Sequence, residues 1–136
     1  MATTTATLKI DSAAGQLLTS VLAIDDQMDL NKKGTATGMT NTTGLARQTF
    51  AAATATRILS ASDYTTNKTH KLYIKNTDTS GTDTVEIKIG DLSGTNVNLG
   101  FLDPDQWAIV PWSAGADVNV ECTSATTIVE WMLIFE

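Results

Sequence analysis

The C-terminal half of the chain, residues 71–136, is a series of short apolar runs separated by Gly, Asn, Asp, Ser and Thr. Those separating residues favour turns. Apolar and polar residues alternate within most runs, which places successive side chains on opposite faces of a strand. The pattern predicts strands over residues 71–76, 84–89, 97–102, 107–111, 118–122 and 128–135. This half of the chain therefore predicts an all-β fold.

The N-terminal half gives weaker signals. Leu8–Ile10 and Thr56–Ser60 have the composition of strands. The apolar positions of Leu17–Leu30 fit helical and strand spacing about equally well. We favour strands there because Thr19–Val21 contains only modest helix formers, and we expect Asn31–Gly34 to be a turn.

Three connections have predicted conformations. Asn76–Asp83 is rich in turn formers and predicts a hairpin connection. Asp103–Gln106 predicts a type I turn with proline at its second position. Ala61–Thr65 predicts a turn or a single helical turn, capped by Ser62 or Asp63.

Residues 34–46 have little core-forming content, since they contain three glycines and five threonines. A connection of this length in a small domain is usually functional or disordered. The segment predicts a long loop or an exposed hairpin, which would suit an arm that contacts a neighbouring protein.

The composition limits the architecture to one core. The chain has 136 residues, of which 42% are hydrophobic and 18% charged, and this suits a single domain. About eight short strands predict an antiparallel β-sandwich of jelly-roll type. The alternative is an immunoglobulin-like Greek-key sandwich, although a chain with one cysteine lacks the Cys–Trp–Cys signature. We expect a flexible arm over residues 1–7 and the β-sandwich domain over residues 8–136.

Charge and hydropathy argue against two kinds of partner. The net charge of −6 at pH 7 disfavours direct binding to nucleic acid, because an acidic surface repels phosphates. No apolar run reaches the length of about 18 residues that a transmembrane helix needs. The first residues lack the basic and apolar regions of a signal peptide. We therefore expect no membrane partner and folding in a cytoplasm.

The chain offers few residues for catalysis. His70 is the only histidine, and no Gly-x-Ser-x-Gly motif accompanies it. The pattern favours a solvated histidine at a strand edge over the base of a triad, so a small hydrolase is the weakest of three functional hypotheses. Cys122, the only cysteine, lies in a predicted strand and is expected to be a buried, inert thiol. One histidine and one cysteine argue against a zinc site.

The sequence contains two groups of carboxylates, and the members of each group are close together in sequence. One consists of Asp25, Asp26 and Asp29. The other, Asp103 and Asp105, could offer oxygen ligands to calcium. Neither group matches an EF-hand loop, and solvated turns are the favoured interpretation. We predict no catalytic site, no cofactor and no metal ion.

Aromatic side chains are the main candidates for intermolecular contacts. Trp107 and Trp112 bracket a predicted strand, and Phe101 lies shortly before it. Tryptophans on a β-sandwich fill the core, form an interface or stack on sugar rings, and we favour core or interface. The candidate interface residues are Trp107, Trp112, Phe101, Tyr64, Met39 and Leu45.

Five segments carry a resemblance to a known class of proteins. They are Ala61–Tyr64, His70–Thr77, Gly100–Ala108, Val110–Trp112 and Thr126–Phe135. Together they resemble small virion structural proteins of tailed bacteriophages, especially phages of marine cyanobacteria. The resemblance runs from residue 8 onward and is strongest over residues 60–135. It implies a β-rich accessory protein of the virion, assembled in the host cytoplasm.

The leading hypothesis is a non-enzymatic virion structural protein, namely a capsid cement or decoration protein that binds and stabilises neighbouring capsid subunits. Its partners would be the major capsid protein or other virion proteins. It would also bind copies of itself in a homotrimer, because a three-fold capsid site favours a ligand of matching symmetry. The alternative is a tail- or fibre-associated module that binds host-surface carbohydrate through Trp107, Trp112 or Tyr64.

Overall fold

The computed structural model describes residues 4–13, 22–79 and 81–136. The chain forms two compact units, Met1–Met39 and Thr40–Glu136. Strands dominate both units and pair antiparallel, so the all-β prediction is confirmed. The expected arm over residues 1–7 and domain over residues 8–136 stay predictions. The one helix within the described ranges is a three-residue 3-10 turn, and no described helix could span a membrane.

The first unit contains a two-stranded antiparallel ribbon. β1 (Thr5–Ser12) pairs with β2 (Leu22–Asp29) in continuous register. The expected strand at Leu8–Ile10 is confirmed, and so is the strand interpretation for residues 22–29. Residues 14–21 lie outside the described part of the chain. The expected turn after β2 is confirmed by Gly34, whose φ of +70° suits glycine.

The second unit contains nine strands within its described residues. They are β3 (Asn41–Thr42), β4 (Ala46–Thr49), β5 (Thr56–Leu59), β6 (His70–Asn76), β7 (Val85–Gly90), β8 (Asn96–Leu102), β9 (Trp107–Trp112), β10 (Val118–Cys122) and β11 (Ile128–Phe135). The predicted bounds of β10 and β11 agree to the residue. Those of β6 to β9 agree within one residue at each end.

Two antiparallel sheets build the second unit. One has the strand order β5–β10–β7–β8, and the other has the order β3–β11–β6–β9. The short strand β4 also belongs to the second sheet, where β3 and β4 pair with opposite ends of β11. The sandwich prediction is confirmed at this level, whereas its jelly-roll type stays a prediction.

The core lies between the two sheets and follows from alternation. In β6, every second residue from His70 to Asn76 is buried, while the intervening residues are half-buried. Both sheets contribute fully buried aliphatic side chains: Leu72, Ile74, Val85, Val118, Val120, Val129 and Leu133. Each Å² of apolar surface removed from water contributes roughly 25 cal/mol. This burial holds the sheets together.

The connection after β6 crosses from one sheet to the other. The predicted hairpin at Asn76–Asp83 is therefore wrong, because β6 lies between β11 and β9 whereas β7 lies between β10 and β8. Turn-forming residues shape a connection locally, but they do not determine whether the joined strands become neighbours. The next connection does join neighbours, since β7 and β8 pair directly.

The turn between β8 and β9 also differs from the prediction. The Gln106 amide donates to the Asp103 carbonyl at 3.0 Å, so a β-turn is present. Asp105 has a φ of +61°, which fits the third position of a type II turn and not of a type I turn. Its Oδ1 lies 2.5 Å from Lys75 Nζ.

A 3-10 turn over Ala61–Asp63 confirms the expected helical turn. Its predicted cap, Ser62 or Asp63, is wrong because Asp117 takes that role. Asp117 Oδ1 accepts the first helical amide at 2.8 Å, and its Oδ2 accepts Arg57 Nη1 at 3.0 Å. The cap comes from a residue distant in sequence, which local pattern reasoning cannot find.

Two carboxylates make the fold sensitive to acid. The Ala61 amide lowers the pKa of Asp117 below its ordinary value of 3.8, and Arg47 lowers the pKa of Glu130 below its ordinary value of 4.5. Each group stabilises the fold above its ordinary value, and the contribution is lost as pH falls through the lowered pKa. We expect the midpoint of thermal unfolding to fall between about pH 5 and about pH 3.

The matched variant for this prediction is the double substitution Asp117→Asn and Glu130→Gln. It should unfold at lower temperature near neutral pH and lose less stability on acidification. An equally steep acid dependence in the double variant would assign the effect to other groups.

Candidate contact surface

β8 carries three strongly exposed apolar side chains. Val97, Leu99 and Phe101 are 59%, 50% and 60% exposed. β8 is the end strand of the four-stranded sheet, where it pairs with β7 on one side. Its other side therefore presents backbone groups that no described strand pairs. We call β8 with these three side chains the β8 edge.

A β-bulge contributes to this exposure. The register shifts so that Gly100 lies opposite Ile87 while Asn98 lies opposite Lys88, which leaves Leu99 without a partner in β7. Gly100 has a φ of +149°, a conformation that favours glycine. Of the apolar side chains in β8 only that of Leu102 is buried. Sequence alternation predicted the strand correctly but could not place its apolar residues.

The outer face of the five-stranded sheet is a second exposed surface. Residues directly opposite each other in antiparallel strands share a face, so the pairing of β6 with β9 and β11 defines this one. Trp107 is its most exposed aromatic side chain, at 48%. The uncharged members of the outer face are Tyr73, Trp107, Ile109, Pro111, Ile128, Met132 and Ile134.

Glu130 organises the charges on this outer face. Its Oε2 accepts Arg47 Nε at 2.5 Å, and its Oε1 accepts the Tyr73 hydroxyl at 3.0 Å. The guanidinium, helped by the phenol, lowers the pKa of Glu130, while burial and the carboxylate raise the pKa of Tyr73. Lys71, on the same face, forms no ion pair with any described residue. The face therefore keeps a cation that can pair with an external carboxylate.

Two predicted contact residues belong to an aromatic cluster inside the fold. Trp112 is only 6% exposed, and its indole Nε1 donates to the Ala116 carbonyl at 2.9 Å. Tyr64 is half-buried and lies edge-on to Trp112 and Phe135, with ring centroids 5.4 and 5.2 Å away. The assignment of Trp112 to a contact surface is therefore corrected, because its ring packs in the interior.

His70 is fully buried, so the expectation of a solvated histidine is wrong. Its Nε2 lies 3.1 Å from the Thr65 carbonyl oxygen, and its ring centroid lies 5.6 Å from that of Trp112. Its Nδ1 is buried and has no hydrogen-bond partner among the described residues. The signal was available in the sequence, since His70 shares its strand parity with Leu72 and Ile74. A general base must reach its substrate, and His70 does not reach the surface.

The two candidates from residues 34–46 are placed differently. Met39 is 1% exposed, and its amide donates to the Leu30 carbonyl at 2.8 Å. Its assignment to a contact surface is corrected for this reason. Leu45 is 56% exposed between β3 and β4. In that gap the Thr43 hydroxyl accepts the Leu133 amide at 3.0 Å, which continues the edge of the sheet.

The remaining candidates for chemistry are the thiol of Cys122 and the carboxylates proposed as metal ligands. Cys122 is buried as expected, and desolvation raises its pKa to about 11, so the thiol stays protonated at neutral pH. Asp105 is engaged with Lys75. In the described ranges, no group of three or more His, Cys, Asp or Glu side chains is arranged to hold a metal ion.

A polar pocket of about 190 Å³ lies at the β6–β7 and β10–β11 connections. Thr127 Oγ1 donates to Asp83 Oδ2 at 3.3 Å, so two of its polar groups satisfy each other. The lining residues are Thr77, Asp78, Thr79, Asp83, Thr126, Thr127 and Ile128.

Comparison with protein-family models, curated proteins and solved structures found no match for this chain. The surfaces must therefore be interpreted from their own chemistry. Phe101, Trp107 and Leu45 are exposed as a contact role requires. Val97 and Leu99 were missed by sequence reasoning, although the absence of charge from β8 was a usable signal.

Proposed function

We propose that this protein is a non-enzymatic virion structural protein, a capsid cement or decoration protein that binds and stabilises neighbouring capsid subunits. The observation that carries the proposal is the β8 edge, where three apolar side chains stay exposed on an end strand. Single exposed apolar residues are ordinary, whereas three on one free strand favour a protein contact. The resemblance of the sequence to virion structural proteins supports a virion as the assembly in which this contact is made.

The chemistry of the edge strands supports the choice of β8. β8 contains no charged residue and no proline, so a partner can approach it without desolvating a charge. Edge strands are commonly protected by charge, proline or a covering element. β9 contains Pro111, and the short strand β5 contains Arg57. The bulge at Leu99 is the one such device in β8 that limits pairing with other strands. A bound capsid subunit would cover the rest of this edge.

Removing apolar surface from the β8 edge should weaken binding to capsids. We expect the double variant Leu99→Ser and Phe101→Ser to bind at least about tenfold more weakly. Burying each apolar side chain at the contact would contribute roughly 1 kcal/mol to the binding free energy. The measurement is co-sedimentation of purified protein with assembled capsids that lack it.

The matched control is Leu92→Ser with Ile128→Ser. These two side chains are 45% and 43% exposed, and neither belongs to β8, because Leu92 lies in the β7–β8 turn and Ile128 begins β11. Equal loss of binding in both double variants would contradict the assignment of the contact. A wild-type protein that does not bind capsids would overturn the cement proposal. Binding to a specific glycan that Trp107→Ala abolishes would instead support the carbohydrate alternative.

A further inference from the structure

The ribbon of β1 and β2 has one apolar face and one polar face. Opposite residues of an antiparallel pair share a face, and the register assigns each position. The apolar face carries Ala6, Leu8, Ile10, Ile24 and Met28, together with Ser12 and a single charged residue, Asp26. The polar face carries Thr5, Thr7, Lys9, Asp11, Asp25, Gln27 and Asp29, together with one small apolar residue, Ala23. This segregation is what a strand pair shows when one face is covered.

The apolar face of the ribbon is nevertheless exposed. Leu8, Ile24 and Met28 are 44%, 38% and 45% exposed. A two-stranded ribbon by itself is marginally stable in water, because it has no second layer against which to bury its apolar side chains. The ribbon therefore needs a surface to cover it.

The charge of the ribbon specifies the chemistry of that surface. Its two strands contain one lysine and four aspartates, Lys9 against Asp11, Asp25, Asp26 and Asp29, which gives a net charge of −3. Asp26 projects from the apolar face and forms no ion pair with a described residue. The covering surface must therefore be apolar and must present a cation to Asp26.

The outer face of the five-stranded sheet offers this combination. Lys71 lies there without an ion pair to any described residue, and Pro111 and Ile134 lie opposite it on the neighbouring strands. Tyr73 follows on the same face. We propose that the ribbon of one copy lies on the outer face of a second copy, with Asp26 beside Lys71. This inference rests on the proposed function, to which it adds the self-contact.

The size of the ribbon indicates how this contact would be used. Eight residues span about 26 Å, so a ribbon about 10 Å wide covers roughly 260 Å² of a partner. Counted on both sides, this is about half of the 1,000 Å² expected for an independent interface. Each copy would donate one ribbon and receive another, a head-to-tail arrangement that closes into a ring such as a homotrimer. In a closed ring each copy is held by two such contacts at once, so the assembly is more stable than one contact alone would make it.

Charge reversal tests the proposed pair. We expect Asp26→Lys and Lys71→Asp each to weaken self-association of the purified full chain at least about tenfold, since each places like charges together in the contact. Their combination should restore association to near the wild-type level. The measurement is molar mass as a function of concentration, by analytical ultracentrifugation. Asp29→Lys makes the same charge change on the polar face of the ribbon, opposite the uncharged Thr5, and should leave the mass unchanged.

The outcomes separate this inference from the proposed function. A wild-type monomer at every concentration, or a double variant that stays dissociated, would overturn the self-contact. Loss of capsid binding by Asp26→Lys with the mass unchanged would assign the ribbon to a capsid subunit and also overturn it. Because self-association is measured without capsids, a failure of capsid binding leaves this test standing by itself.

Discussion

We expect Trp112→Ala to lower the free energy of unfolding by about 3–5 kcal/mol, the range for removing a large aromatic side chain from a core. The indole contacts the rings of Tyr64 and His70 at centroid distances of 5.4 and 5.6 Å. Its Nε1 also satisfies the Ala116 carbonyl. Alanine would leave a cavity among these groups and remove that donor. Chemical denaturation of the purified protein measures the change.

Trp107 provides the matched control on the same strand. It is 48% exposed, so Trp107→Ala should change the free energy of unfolding by no more than about 0.5 kcal/mol. Similar losses in the two variants would contradict the assignment of one tryptophan to the interior and the other to the surface. A binding defect in Trp112→Ala would therefore be explained first by loss of folding, and not by loss of a contact with a ligand.

The second large effect is expected at Asn76, where Asn76→Ala should cost about 3 kcal/mol of unfolding free energy. The side chain is fully buried. Its Nδ2 donates to the carbonyls of Asp83 and Leu102 at 2.8 and 3.1 Å, and its Oδ1 accepts the Asp78 amide at 3.0 Å. One side chain therefore serves two of the connections that cross between the sheets, β6–β7 and β8–β9. Alanine would leave these backbone groups without that partner, and buried polar groups without partners are costly.

Asn98 is the control for this prediction because its side chain also forms hydrogen bonds but is exposed. It donates to Glu86 and accepts the Gly100 amide at 2.7 Å. Water can replace those partners, so Asn98→Ala should cost less than about 1 kcal/mol. If thermal unfolding showed equal losses for both variants, burial would not be the deciding factor.

Much of the fold could be predicted because alternation reports directly on strands. Val118–Cys122 and Ile128–Phe135 were bounded correctly because polar turn residues flank each apolar run. Sheet membership could not be predicted in this way. The connection at Asn76–Asp83 has hairpin composition and yet joins two sheets, since long-range packing chooses the partner strand.

The contact residues were harder to predict than the strands. Trp107 and Trp112 are five positions apart on one strand, so their side chains point to opposite faces, and parity could have separated them. Parity alone could not have shown which face was covered. At β8 the bulge at Leu99 breaks parity altogether, and no local signal marks where a strand will be interrupted in this way.

Cys122 has a practical consequence for mapping contacts. It is the only cysteine of the chain, and its thiol is both buried and protonated at neutral pH. Thiol reagents react with exposed thiolates. We therefore expect the wild-type protein to react very little with such reagents, so Cys122 need not be removed before labelling. A cysteine introduced at an exposed position such as Leu99 would be the single reactive group. Its accessibility before and after assembly would then report, position by position, which surfaces become covered.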